Sequence, residues 1–205
     1  MNIRFSGFGG QGIVLSAVIY GHAAVLEGKN AIQTQSYGSE SRGGACKSDV
    51  TISDEEICEL ESPQVDVLVA LSQEAYENYL PTLRDGGILI IDKDLVQIAI
   101  DSEGRGPTED KGITLNRMVE GIATEIRTSQ REVSIYAISA TDLAFKKFGR
   151  GIMANMVVLG FMATVLRNVS PEGLKRAIKQ NVPAGTEGSN IEAFEEGYMQ
   201  GGGRA

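Results

Sequence analysis

The sequence predicts an α/β protein with a Rossmann-like, doubly wound, mostly parallel sheet and helices on both faces. Three observations carry this. An apolar start runs into the glycine-rich turn "GFGGQG", residues 7–12, and then into helically spaced apolar residues. "VDVLVALS", residues 65–72, and "ILIID", residues 88–92, are short continuous apolar runs that suit parallel strands buried on both faces. A helical stretch lies between those two runs, and such alternation marks βαβ units.

Residues 2–6 read as the first strand. Residues 11–27 read as a helix, with Ile13, Val14, Ala17, Val18, Ala24 and Val25 at helical spacing. Gly28-Lys29-Asn30 ends it, and residues 31–35 form a second strand. The polar, Gly-rich loop "SYGSESRGG", residues 36–44, leads into a strand whose alternation through Lys47, Asp49 and Thr51 predicts one wet face. Ser72 caps a helix over 73–83, and Asp85-Gly86-Gly87 is a turn before the strand at 88–92. Residues 101–110 have the composition of a surface loop, and 115–126 read as a helix broken by Gly121. Strand character returns at 132–139. Ser139 to Asp142 has capping-box spacing and opens a helix that ends near Gly149. Residues 151–166 are apolar nearly all round, as in a core or subunit-contact helix. Ser170-Pro171 starts a further helix, and Asn190 is most simply the N-cap of a short last one.

The 205 residues suffice for one domain with a sizeable core, expected over 1–200, followed by a flexible tail at 201–205. A formal charge of −8 argues against nucleic acid or anionic lipid as the main partner. No segment approaches the roughly 20 apolar residues of a membrane span. No signal peptide is evident, so a cytoplasmic location is expected. Cys46 and Cys58 make no Cys-x-x-Cys cluster, and the single His22 lies within a predicted helix. No metal site and no catalytic nucleophile are therefore expected within the chain.

Gly7, Gly9 and Gly12 fit the spacing of a phosphate-binding turn between strand and helix, with Gly10 beside them. The helix start behind them offers unpaired N–H groups and partial positive charge. A dinucleotide site would add an acid at the end of the second strand, which here ends in Gln35-Ser36. In the second loop Ser39 offers a hydroxyl and Arg42 a planar cation suited to phosphate. Gly43 lets the backbone come close. Strands one and two are expected side by side, so that both loops face one crevice. Asn155, in an otherwise apolar helix, either bonds a neighbouring backbone group or turns toward that crevice.

"GFGGQGIVLSA", "YGSESRGG", "SDVTISDEEI", "VDVLVALS", "GRGIMANMVVLGFM" and "NIEAFEEGY" together resemble the gamma subunit of 2-oxoacid:ferredoxin oxidoreductases, most of all the 2-oxoglutarate type. The resemblance implies an enzyme that decarboxylates a 2-oxoacid oxidatively, joins the acyl group to coenzyme A and passes electrons to ferredoxin. It implies thiamine diphosphate, magnesium and iron–sulfur clusters on alpha, beta and delta partners, with this chain inactive alone and helping to bind coenzyme A. By motif match it implies contacts from Gly7, Phe8, Gly10, Gln11, Ser39, Glu40, Arg42, Asn155 and Asn190, with Gly9, Gly12 and Gly43 completing the loops. Relatives tied to coenzyme A can carry Lys where Glu40 stands. Two other functions remain open on the residues alone. One is a stand-alone NAD- or flavin-dependent oxidoreductase. The other is a scaffold subunit with an empty glycine corner, in which 151–162 is mainly an interface.

Overall fold

A computed structural model describes residues 1–36, 45–60, 62–98, 124–127 and 132–203. Among them the strands are β1 (Asn2–Phe8), β2 (Asn30–Ser36), β3 (Ala45–Ser53), β4 (Val65–Ala70), β5 (Leu83–Asp92), β6 (Thr124–Arg127) and β7 (Glu132–Ile138). The helices are α1 (Ile13–Leu26), α2 (Gln73–Tyr79), α3 (Ala140–Phe148), α4 (Ala154–Leu166), α5 (Pro171–Asn181) and α6 (Glu187–Gln200). The strands form one seven-stranded sheet in the order β2-β3-β1-β4-β5-β7-β6.

The parallel part comprises β1, β4, β5 and β7. The outer pairings, β1 with β3, β3 with β2 and β7 with β6, are antiparallel. One expectation is corrected here. Strands one and two are not neighbours, because β3 folds back between them, pairing Phe8 with Ala45 and Ser36 with Lys47. Since β1 and β2 both run against β3, their C-terminal ends still reach the same sheet edge.

Strand alternation sorts side chains to two faces. Ile3, Phe5, Val67, Val69, Ile90 and Ile138 pack with residues of α1, α3, α4, α5 and α6. Leu68, Ala70, Leu89, Ile91, Val133 and Ile135 pack on the other face with Tyr76 of α2. Fully burying side chains of this size stabilises the fold by about 1.5–3 kcal/mol each. The wet face expected for β3 is only half exposed, because Arg4 is buried against it and holds Asp49 through Nε (2.8 Å) and an Nη (2.7 Å).

Several helix boundaries follow the caps read from sequence. Ser72 Oγ accepts from Ala75 N–H at 3.2 Å, and Ser170 Oγ accepts from Gly173 N–H at 3.0 Å. Other expectations shift. The run 73–83 divides into α2 and a 3₁₀ turn, Leu80–Thr82, that contains Pro81. Asp85-Gly86-Gly87 lies inside β5 as a bulge, since Val65 pairs with Leu83 but Val67 with Ile88, and Gly86 sits at φ 70°. Of the helix expected over 115–126, residues 124–126 belong to β6, where pairing with β7 supplies the backbone partners. The remainder, like the loop at 101–110, lies outside the described residues.

Ser139 does not cap α3; the acids at the end of β5 do so instead (below). Asn190 is not an N-cap, because helix already forms from Glu187 onward and Thr186 takes that place. Gly201, Gly202 and Gly203, the described part of the expected tail, are bonded to the end of α6. Their N–H groups bond to Gly197, Met199 and Tyr198 carbonyls at 3.2, 3.0 and 3.0 Å.

Helix α4 is covered by the chain itself, being buried at every position from Ala154 to Ala163. Its backbone meets that of α6 directly. A Cβ at Gly160 would overlap Phe194 O, and one at Gly197 would overlap Val157 O. Gly160→Ala should therefore destabilise the protein by about 3 kcal/mol, because two helix backbones must separate to admit a methyl group. A urea midpoint within error of the wild type would show that this contact does not set the α4–α6 distance.

Candidate functional site

Helix α1, which follows β1, packs on one face of the sheet, and α2, which follows β4, packs on the other. The C-terminal ends of these neighbouring parallel strands therefore form a topological switch point, where open α/β sheets leave a crevice. The glycine loop closes that crevice on one side. Gln11 N–H bonds to Phe8 O at 3.2 Å. Gly10 and Gly12 take φ values of 94° and 75°, which favour glycine. Gly9 and Gly10 are exposed, with open space where their side chains would be. Gly12 stands at the N-cap of α1 and supplies no side-chain cap. Among the described residues, no hydrogen bond occupies the N–H groups of Gly9, Gly10 or Gly12.

The Gln11 side chain spans the crevice. Its Oε1 accepts from Phe8 N–H at 2.6 Å and its Nε2 donates to Leu71 O at 2.7 Å. Gly7 lies within β1, where a Cβ would collide with Gln11 Oε1. Asn155, in the first turn of α4, is buried with 5% exposure. Its Oδ1 accepts from Met156 N–H at 2.8 Å, and its Nδ2 lies over Gly12, where any Cβ would strike it. Both alternatives read for Asn155 thus hold: one end bonds neighbouring backbone and the other turns to the crevice.

A cleft of about 230 Å³ opens beside the loop. Gly10 and Gln11 line it from β1–α1, Leu71 from the end of β4, Asp92 and Leu95 from the end of β5, and Thr141 from α3. Gly151, Ile152, Ala154 and Asn155 line it from the start of α4. Asp92, only 1% exposed, accepts from Thr141 N–H (3.0 Å), Thr141 Oγ1 (2.6 Å), Ala140 N–H (3.2 Å) and Asp94 N–H (3.1 Å). Asp94 accepts from Asp142 N–H at 2.7 Å and from the Ser139 hydroxyl. The N-terminus of α3 is thus closed by two carboxylates, while that of α1 is open.

Of the residues singled out in the sequence, Gly10, Gln11 and Asn155 line this cleft, Gly9 and Gly12 belong to the same loop beside them, and Gly7 and Phe8 stand at the end of β1. Ser39, Glu40, Arg42 and Gly43 lie outside the described residues; the strands flanking them start and end at the same edge as the glycine loop. Asn190 is not among the cleft residues. It sits inside α6, where its Nδ2 donates to Thr186 O at 2.8 Å. Leu71, Asp92, Leu95, Thr141, Gly151 and Ile152 were not singled out. The one signal for them was an acid closing the apolar run "ILIID". His22 packs within 2.7 Å of Asn181 Nδ2, and Cys46 is buried, which pushes its thiol pKa up.

Fold and cleft define a Rossmann-like α/β domain with a glycine loop at its switch point. The chain belongs to the pyruvate ferredoxin/flavodoxin oxidoreductase family, whose model matches residues 2–200. It is 42% identical over 197 residues to the 2-oxoglutarate synthase subunit KorC of Methanocaldococcus jannaschii, covering 96% of this chain and 91% of that relative. The KorC subunit of Methanothermobacter marburgensis is 41% identical, with 95% and 93% covered. Among solved structures, the keto/oxoacid ferredoxin oxidoreductase gamma subunit from Geobacter sulfurreducens superposes with a TM-score of 0.73 at 35% identity, covering 98% of this chain and 97% of that one. The same fold forms part of a longer chain in the 2-oxoglutarate:ferredoxin oxidoreductase of Magnetococcus marinus, with a TM-score of 0.73 at 23% identity, covering 98% of this chain and 31% of that one. No helix among the described residues is long and apolar enough to cross a membrane.

Burial raises the pKa of Asp92 above its ordinary 3.8, while the hydrogen bonds from Thr141 and Asp94 act in the opposite direction. A folded state that holds its proton longer than the unfolded one loses stability as pH rises. The contribution of Asp92 is full below the ordinary carboxyl value and declines as pH rises through the folded one. The stability advantage of wild type over Asp92→Asn, read from urea unfolding, should therefore shrink as the pH rises above the ordinary carboxyl value of 3.8. An advantage that grows with rising pH would mean the carboxyl is not raised.

Proposed function

We propose that this chain is the gamma subunit of a thiamine-diphosphate-dependent 2-oxoacid:ferredoxin oxidoreductase acting on 2-oxoglutarate, and that it helps hold coenzyme A. The carrying observation is the open turn at the head of α1, where the amides of Gly9, Gly10 and Gly12 have no hydrogen bond among the described residues. Unpaired N–H groups at a helix start, with backbone free of side chains, suit a diphosphate. The names of the KorC relatives support 2-oxoglutarate as the substrate. The end of β2 carries no acid for a ribose, which speaks against a stand-alone dinucleotide enzyme. The burial of α4 within the chain speaks against 151–162 as mainly an interface.

In this role Gly9 and Gly10 let the diphosphate approach the backbone, and Asn155 Nδ2 supplies a further donor across Gly12. Arg42 and Ser39 add charge and a hydroxyl from the second loop. Glu40 and Gly43 belong to that loop, and Asn190 stands apart from the cleft. When bound, coenzyme A supplies the thiol that accepts the acyl group. The contribution of this chain is binding energy remote from the reacting atoms, which orients that thiol without a general base of its own. Thiamine diphosphate, magnesium and the iron–sulfur clusters belong to alpha, beta and delta partners, and ferredoxin accepts the electrons. The chain works as one domain over 1–200 in the cytoplasm.

Two experiments test this reading. Arg42→Ala in the assembled enzyme should raise KM for coenzyme A about tenfold while leaving kcat nearly unchanged, since a charge-assisted phosphate contact is lost. Gly10→Ala should act in the same direction, because it strains a residue at φ 94° and places a methyl group over the open turn. Coenzyme A kinetics indifferent to both changes would remove the basis for the assignment.

A further inference from the structure

We infer that Gln11 is a positioning residue: its side-chain amide is a spacer inserted into the β1–β4 ladder, and it holds the two strand ends apart to keep the crevice open. The inference deepens the coenzyme A reading and rests on it. It assigns Gln11 a role different from direct ligand contact.

The ladder geometry carries it. Ser6 pairs with Ala70 in parallel register, and Leu71 N–H donates to Ser6 O at 2.9 Å. In a parallel ladder the next bond would run from Phe8 N–H to Leu71 O, because donors and acceptors alternate two residues at a time along each strand. That bond is absent. Its donor and its acceptor are both engaged by one primary amide, Oε1 taking the Phe8 proton and Nε2 giving one to Leu71 O. A direct rung is thus replaced by two bonds in series with an amide between them. Both backbone groups remain satisfied while the strands separate by the width of that amide.

The neighbouring residues make room for it. Gly7 has no Cβ, and one placed there would collide with Gln11 Oε1. Gly12, the residue after Gln11, makes room for a different amide, Asn155 Nδ2. An apolar side chain at position 11 could satisfy neither Phe8 N–H nor Leu71 O. The loop would then either close toward β4 or lose its anchor, and in both cases the amides of Gly9 and Gly10 would leave their positions.

The test uses the assembled enzyme with Gln11→Leu and, as a milder variant, Gly7→Ala, which should displace the amide sterically. Competitive inhibition against coenzyme A is measured with ADP, which carries a diphosphate, and with pantetheine, which carries none. Hydrogen exchange over residues 6–10 is measured without ligand. In Gln11→Leu, Ki for ADP should rise about tenfold and Ki for pantetheine should stay put, with exchange about tenfold faster. Gly7→Ala should show the same pattern more weakly and add little to Gln11→Leu in the double variant. An unchanged Ki for ADP overturns the inference, as does an equal loss for both inhibitors. Weaker ADP binding with unaltered exchange also overturns it, by making Gln11 a direct contact. If Gln11→Leu is silent while Arg42→Ala and Gly10→Ala impair coenzyme A use, only the spacer role fails. If those two are silent as well, the coenzyme A reading fails first.

Discussion

The point at which β1 and β4 stop pairing governs the rest of the molecule. Up to Ser6 and Leu71 the two strands share a continuous parallel ladder. Beyond it their helices leave to opposite faces, and neither backbone can supply the next rung alone. Phe8 N–H is exposed, but Leu71 O is part-buried, and an unpaired acceptor there costs about 1–3 kcal/mol, so the gap is better bridged or closed than left open. Gln11 bridges it. The glycine loop can therefore stay open at the surface without leaving the sheet beneath it unsatisfied.

The other walls of the cleft are fixed by interactions with no other evident purpose. Asp92 and Asp94 take the N–H groups at the head of α3 and tie that helix to the end of β5. The glycines at the α4–α6 crossing let those helices approach to backbone contact. This seats the first turn of α4, and with it Asn155, against Gly12. Three helix starts thus converge on one cleft under different electrostatic conditions. The head of α3 is already neutralised by carboxylates, and that of α1 has no side-chain cap. An anion entering the cleft therefore meets uncompensated helix charge at the starts of α1 and α4 rather than at α3, since the partial charge of a helix terminus acts within its first turn.

This asymmetry suits a subunit that positions a molecule for chemistry carried out elsewhere. The described cleft contains neither a cysteine nor a histidine, and its one buried acid is saturated by four protein donors. What it offers a ligand is backbone amides, one asparagine amide and apolar walls from Leu71, Leu95 and Ile152. Such a surface binds and orients. In the proposed role it contributes to turnover only together with partners that carry the reacting groups.

The sequence by itself determined the local features. Apolar runs became buried strands, Ser72 and Ser170 capped their helices, and the glycine spacing placed a tight turn between β1 and α1. Each of these depends on interactions within a few residues. The tertiary structure alone decided what depends on distant partners. It placed β3 between β1 and β2, because a strand's neighbour is set by sheet pairing rather than by order along the chain. It gave the cap of α3 to Asp92 and Asp94, because two carboxylates some 48 residues away along the chain outcompete one local hydroxyl. It also turned Gln11 from a motif letter into a bridge, because a side-chain amide takes its role from the two strands it happens to lie between.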